Sequence, residues 1–137
     1  MKVSQEILNL IPYQPGKPIE ETQREYGLSK VYKLASNENP LGPSPMAQAA
    51  MTQSIKDLHR YPDGSSFQLK KVIAEKYAVA PEKVTFGNGS NELIDLLVRV
   101  FAEPGERILT SVSAFIAYEL CAQAARVQIE KISLNAE

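Results

Sequence analysis

One cysteine, Cys121, is all that the 137 residues contain, which excludes an internal disulfide framework and fits a reducing compartment. One histidine, His59, is equally limiting, since neither a histidine-based metal cluster nor a pair of catalytic histidines can be built from it. An excess of either charge is missing too: 15 basic residues stand against 16 acidic ones, a net charge of -1. No basic field draws the chain to nucleic acid or to an anionic membrane. The apolar run at the N-terminus, Ile7 to Ile11, is too short and too polar in its flanks for a signal peptide or a membrane span. These absences predict a cytoplasmic protein with a small-molecule partner, no nucleic acid and no membrane.

With 44% hydrophobic and 23% charged residues, the chain can bury one modest core. Its first forty-odd residues carry Pro12, Pro15, Pro18, Pro40 and Pro43 with Gly16 and Gly42, which predicts an extended arm with short helical pieces. Such an arm cannot bury Ile7, Leu8, Leu10, Ile11 and Tyr13 on itself, so they must lie on a partner subunit or on the rest of the chain. Ser44-Pro45 reads as a helix start running to about Leu58, with Ser44 as cap and Pro45 at the first helical position. After a turn at Tyr61-Pro62-Asp63-Gly64, Ser65 and Gln68 have capping-box spacing before Leu69, Val72, Ile73 and Tyr77 at helical period.

Val84-Thr85-Phe86 reads as a strand leading into Gly87-Asn88-Gly89-Ser90 and then an apolar helix through Leu93 to Phe101. Pro104-Gly105 breaks that helix. Arg107 to Val112 is the next strand, Tyr118 to Ala125 a helix and Val127 to Ile132 a third strand. The order β-α-β-α-β predicts an α/β fold with a mostly parallel sheet and ligands at the carboxyl ends of its strands. Three short strands make a narrow sheet, and the sequence stops at Asn135-Ala136-Glu137 directly after one of them. The expectation is an incomplete domain, cut short.

The most informative local feature is Gly87-Asn88-Gly89-Ser90-Asn91-Glu92. Glycines there let the backbone turn sharply, and the helix start offers unpaired N–H groups and a positive dipole end to a phosphate, with Ser90 and Asn91 as further donors. A plain strand-to-helix turn capped by Ser90, with no ligand, fits the same residues. A dinucleotide fingerprint does not, because Glu92 stands where its third glycine belongs.

Three segments in order, Lys33-Leu34-Ala35-Ser36-Asn37-Glu38-Asn39-Pro40-Leu41-Gly42-Pro43, Arg60-Tyr61-Pro62-Asp63 and Gly87 to Glu92, carry a resemblance to the start of histidinol-phosphate aminotransferases. Pro12-Tyr13-Gln14-Pro15-Gly16-Lys17-Pro18 is similar to the arm of that family, so the likeness extends over essentially the whole chain. The resemblance implies the fold-type-I, aspartate aminotransferase-like architecture and a homodimer with sites shared across the interface. It divides the chain into 1–43, an extended arm and substrate-side loop, and 44–137, the N-terminal part of the large domain that binds pyridoxal 5'-phosphate.

By the same resemblance Gly89, Ser90 and Asn91 hold the cofactor phosphate, Phe115 stacks on the pyridine ring, and Tyr61 reaches the phosphate of the neighbouring subunit. Tyr13, Asn37 and Asn39 face the substrate. The family often has Pro-x-Tyr-x-x-Tyr where this chain has Ser113, Phe115 and Tyr118, though phenylalanine can still stack. Without the resemblance, Phe115 can also be read as a core residue after a strand, Tyr61 reads as a surface turn residue and Asn37 to Pro43 as a bent connector.

The implied activity is amino transfer between histidinol phosphate and 2-oxoglutarate in histidine biosynthesis. The alternatives are another fold-type-I aminotransferase, a threonine-phosphate decarboxylase, or a non-catalytic, self-associating fragment. No catalytic residue is expected in this chain, since the family's Schiff-base lysine comes later than Glu137. Ser29-Lys30 imitates the serine-lysine pair around that lysine, but Lys30 reads as a solvated surface charge. Cys121 reads as a small buried side chain, and Glu92 with Asp95 as a solvated helix face.

Overall fold

The computed structural model describes residues 3–135, so Met1, Lys2, Ala136 and Glu137, which the readings of the two chain ends include, lie outside the described residues. Two units emerge from the packing: Met1–Gln14 with Lys70–Glu137, and Pro15–Leu69. The first carries α1 (Gln5–Leu8), most of α4 (Phe67–Tyr77), α5 (Ser90–Phe101), β1 (Arg107–Ser111), α6 (Ala117–Ala124) and β2 (Gln128–Ile132). The second carries α2 (Ile19–Tyr26) and α3 (Pro45–Ser54).

In the first unit β1 and β2 pair in parallel, with Arg107 opposite Gln128 and Ser111 opposite Ile132. Parallel neighbours need a crossover, and α6 supplies it. The chain leaves α6 through Arg126 at φ +61°, which lets the Val127 N–H reach the Ala122 carbonyl at 2.9 Å and turns directly into β2. Val98 of α5, Ala122 of α6 and Val127 form the buried centre, joined by Ala102, Ile108, Cys121, Ala125 and Ile129. Alanine at the helix contacts lets α5 and α6 approach closely, while each buried valine contributes roughly 1.5 kcal/mol of transfer free energy. The core is small: its buried members are alanines and valines, and Leu97, Val100 and Phe101 of α5 stay exposed.

The start of the N-terminal arm, residues 3–14, lies on this unit. Gln123 of α6 donates from Nε2 to the Glu6 carbonyl at 2.8 Å, and Ile7 and Leu10 are half-buried while Leu8 and Ile11 remain exposed. The rest of the same chain thus covers part of Ile7 and Leu10, while Leu8, Ile11 and Tyr13 stay exposed.

The α/β class with a parallel sheet is as expected, but the sheet has two strands among the described residues rather than three. Val84 is extended at φ -105° and ψ 121°, yet the segment Val84 to Phe86 has no paired neighbour, and extended backbone becomes a strand only when another chain segment takes its N–H and C=O groups. Helix capping also departs from expectation. The Ser65–Gln68 box does not form, because Ser66 adopts φ +51° and the Asp63 carboxylate accepts both the Ser65 and Phe67 N–H groups at 2.9 Å. Asp63 is thus the cap of α4, and those two bonds with the Ser65 hydroxyl hold its carboxyl below the usual range. Pro45 does occupy the first turn of α3, without a side-chain cap from Ser44, and α3 gives way at Ile55–Asp57 to a 3-10 turn.

In Pro15–Leu69 no described residue is buried, and order is local. Lys17 pairs with Glu21 and Glu25 along α2, and Lys33 pairs with Glu38 at 2.5 Å. No described helix of the chain is long and apolar enough to cross a membrane.

Candidate functional site

The glycine turn is built from the constraints on its backbone. A Cβ at Gly87 would lie 3.0 Å from Leu93 Cγ and 3.1 Å from Glu92 Oε2, so any larger residue would push these two side chains of the first turn of α5 aside. Gly89 stands at φ +91° and ψ 173°, a region essentially closed to other residues, and an added Cβ there would meet nothing within 4 Å. Its demand is conformational rather than spatial. The turn delivers the chain into α5 with Gly89 as N-cap and Ser90 as first helical residue, without a side-chain cap. Ser90 is therefore not the cap that the plain-turn reading assigned to it.

The N–H groups of Ser90, Asn91 and Glu92 precede the first acceptor that the helix can offer, and 12 residues of aligned peptide dipoles stand behind them. Ser90 and Asn91 are exposed, so their side chains and the helix start face solvent together. Chemically this arrangement suits an anion with several oxygens.

Glu92, which the sequence reading left as part of a solvated face, has a defined task. Its Oε2 accepts the Asn88 backbone N–H and, at 3.1 Å, the Asn88 side-chain Nδ2. Asp95 turns away from it and accepts from Arg99 Nε at 2.8 Å, a bond that raises the guanidinium pKa further. The two carboxylates are not an acid–base pair. A glutamate three residues after a helix cap ordinarily reaches back to the N–H of the cap itself; here Glu92 reaches one residue further, past Gly89 to Asn88.

Phe115 lies in the loop after the carboxyl end of β1 with a half-exposed ring. Tyr13 of the arm meets it edge-on, with centroids 6.0 Å apart and planes at 80°. A cleft beside this pair is lined by Tyr13, Gln14, Ile116, Glu119, Leu120 and Gln123. Tyr13 and Phe115 are thus brought together within one chain.

The remaining expected residues belong to Pro15–Leu69. Asn37 is exposed in the loop that follows Ser36, itself at φ +70°. Asn39 spends its amide on the turn: Nδ2 donates to the Gly42 carbonyl at 3.0 Å and Oδ1 accepts the Leu41 N–H at 3.1 Å. Tyr61 is fully exposed, between a turn closed by Arg60 N–H on the Asp57 carbonyl and another closed by Ser66 N–H on the Asp63 carbonyl, so the turn expected at Tyr61 to Gly64 falls two residues later.

Lys30 places its Nζ 4.8 Å from the exposed Tyr32 ring, an ordinary surface cation–π contact. His59 Nδ1 lies 3.2 Å from the Lys56 carbonyl, and among the described residues no group of three potential metal ligands occurs. Cys121 is half-buried rather than buried, and burial, helped by Asp95, pushes its thiol pKa up.

Known proteins resemble this chain along almost its whole length. The family model for aminotransferase class I and II matches residues 29–137. A histidinol-phosphate aminotransferase of Bdellovibrio bacteriovorus is 54% identical over 134 residues, which are 98% of this chain and 36% of that protein. Another of the same name from Anaeromyxobacter is 59% identical over 116 residues, 85% of this chain and 32% of the relative. Among solved structures, the histidinol-phosphate aminotransferase from Sinorhizobium meliloti, in complex with pyridoxal-5'-phosphate, superposes with a TM-score of 0.82 at 21% identity. That match covers 98% of this chain and 35% of the other, and speaks for the fold. The chain spans about a third of the length of the curated relatives it matches.

Proposed function

Because the chain belongs to the aminotransferase class I and II family, we propose that the protein carrying it transfers an amino group between histidinol phosphate and 2-oxoglutarate. Pyridoxal phosphate is the cofactor of this reading, and a cytoplasmic homodimer the working form. What supports the substrate most is the 54% and 59% identity to proteins of that name. The cofactor reading has support in the turn itself, since a glycine-only backbone, free N–H groups and two exposed polar side chains fit a phosphate.

When bound, pyridoxal phosphate supplies the electron sink of the reaction. Gly89, Ser90 and Asn91 would hold its phosphate through backbone and side-chain donors. Phe115 would offer its face to the pyridine, with Tyr13 edge-on against the Phe115 ring. Tyr61 contributes a phenolic donor to the phosphate of the neighbouring subunit. Asn37 and Tyr13 meet the substrate, and Asn39 acts on it by holding the loop, because its own amide is engaged by Leu41 and Gly42. Residues 1–43 serve as arm and substrate-side loop, and 44–137 as the N-terminal part of the large domain. The Schiff-base lysine comes from outside these residues, so the 137 residues alone are inactive.

The test compares kcat/KM of the whole protein for histidinol phosphate, aromatic amino acids and threonine phosphate with 2-oxoglutarate. A preference for histidinol phosphate of roughly a hundredfold is expected from hydrogen-bonded recognition of its imidazole and phosphate. Equal or better turnover of an aromatic amino acid, or loss of carbon dioxide from threonine phosphate, would replace the reading. Borohydride reduction of the 137-residue chain with pyridoxal phosphate should leave Lys30 unlabelled.

A further inference from the structure

We infer that Glu92 is a positioning residue, a clamp that sets the shape of the glycine turn so that the N–H groups opening α5 converge on one phosphate. The inference rests on the cofactor reading above. Its own observations are two. First, one carboxylate oxygen takes both the backbone N–H and the side-chain Nδ2 of Asn88, tying the residue before Gly89 to the first turn of the helix. Second, the same oxygen stands 3.1 Å from where a Gly87 Cβ would be, with Leu93 behind it at 3.0 Å, so the clamp and the missing side chain are complementary.

A carboxylate beside an anion subsite works against the anion by charge, so attraction cannot be its contribution. Geometry can. With Asn88 held, fewer conformations remain for Gly89, which reverses the chain at φ +91° and presents the donors of Ser90 and Asn91. Without the clamp the turn samples other conformations, which glycine permits cheaply on either side of the residue it holds.

The amide oxygen of glutamine keeps an acceptor at this place and removes the charge, whereas alanine removes both. In the whole protein, Glu92→Ala should speed hydrogen exchange at the Asn88 amide roughly tenfold, as expected for a lost charge-assisted hydrogen bond. It should weaken binding of pyridoxal phosphate by roughly tenfold while changing binding of pyridoxal, which lacks the phosphate, less than about threefold. Glu92→Gln should restore most of both effects. The clamp is refuted if Glu92→Ala binds pyridoxal phosphate like the parent, if it weakens phosphate and non-phosphate forms alike, or if glutamine rescues nothing. Failure of the unmodified protein to prefer pyridoxal phosphate over pyridoxal would instead overturn the cofactor reading itself, and needs no variant to be seen.

Discussion

In the unit built on α5, β1, α6 and β2, residues distant in sequence close on one another: Val98 meets Ala122 and Val127, and Gln123 reaches back to Glu6. In Pro15–Leu69 the side-chain hydrogen bonds of the described residues join partners no more than eight positions apart, as Lys17 to Glu25, and no described residue is buried. Both stretches contain helices and apolar side chains, so composition does not separate them. What separates them is whether two layers exist to enclose something. A helix such as α3, with Met46, Met51 and Ile55 exposed along or just after it, holds its turns through its own backbone and gains nothing from burial. The glycine turn before α5 belongs to the layered unit. Asn37, Asn39 and Tyr61 sit in a stretch stabilised turn by turn.

The sharpest way to break this contrast is to disturb the centre of one unit and an equivalent site in the other. Ala122 is fully enclosed, so Ala122→Leu should cost about 1–3 kcal/mol by overpacking, read from urea unfolding followed by circular dichroism. Leu58→Ala, in the locally held stretch, should stay within about 0.5 kcal/mol in the same assay. Equal losses would mean that Pro15–Leu69 has a core of its own.

A smaller effect is expected at the hydrogen-bonded tether of the arm. Gln123→Ala removes the donor to the Glu6 carbonyl and should cost about 1 kcal/mol. It should also expose residues 3–14 to limited proteolysis and loosen Tyr13 from Phe115. An arm that stays protected would place its anchorage in Ile7 and Leu10 instead.

The smallest effect belongs to a local cap. Asp63→Ala should raise hydrogen exchange at the Phe67 amide by about fivefold and leave the α5–α6 core untouched. The pH dependence has a definite sign. The folded pKa of Asp63 lies below its unfolded value because Phe67 and Ser65 donate to the carboxylate, so the cap is fully formed above an unfolded pKa of about 4. Its contribution disappears as pH falls through the lower, folded value. Protection at Phe67 should thus be flat from neutral pH down to about 5 and fail only in stronger acid.

How far the sequence was legible follows the same division. Strands β1 and β2 and helices α5 and α6 emerge within a few residues of expectation, because apolar period and the Pro104-Gly105 break coincide there with real burial. Val84 to Phe86 has the composition of a strand, but pairing is a property of a neighbour and cannot be read from the segment. The cap of α4 was misplaced for another reason. Ser65 and Gln68 have the right spacing, yet Asp63 two residues earlier takes the Ser65 N–H that Gln68 would need, and the Phe67 N–H as well, with a charged acceptor. At the candidate site, Gly89 and its helix start were legible from residue types alone, whereas Glu92 was not. Its carboxylate points back at Asn88 rather than outward, and direction along a helix is settled by what the preceding turn leaves unpaired.

The parallel pairing of β1 with β2 also sets an order of events as the chain folds. Arg107 cannot find Gln128 until the residues between them have reversed direction and returned, a loop closure that costs entropy before any ladder bond repays it. Helix α6 shortens that search by stiffening the connection. A substitution that raises helix propensity at an exposed position of α6 should therefore accelerate refolding, while the same change in α3 should leave the rate alone. The crossover is then a pacemaker for the sheet as well as its cover.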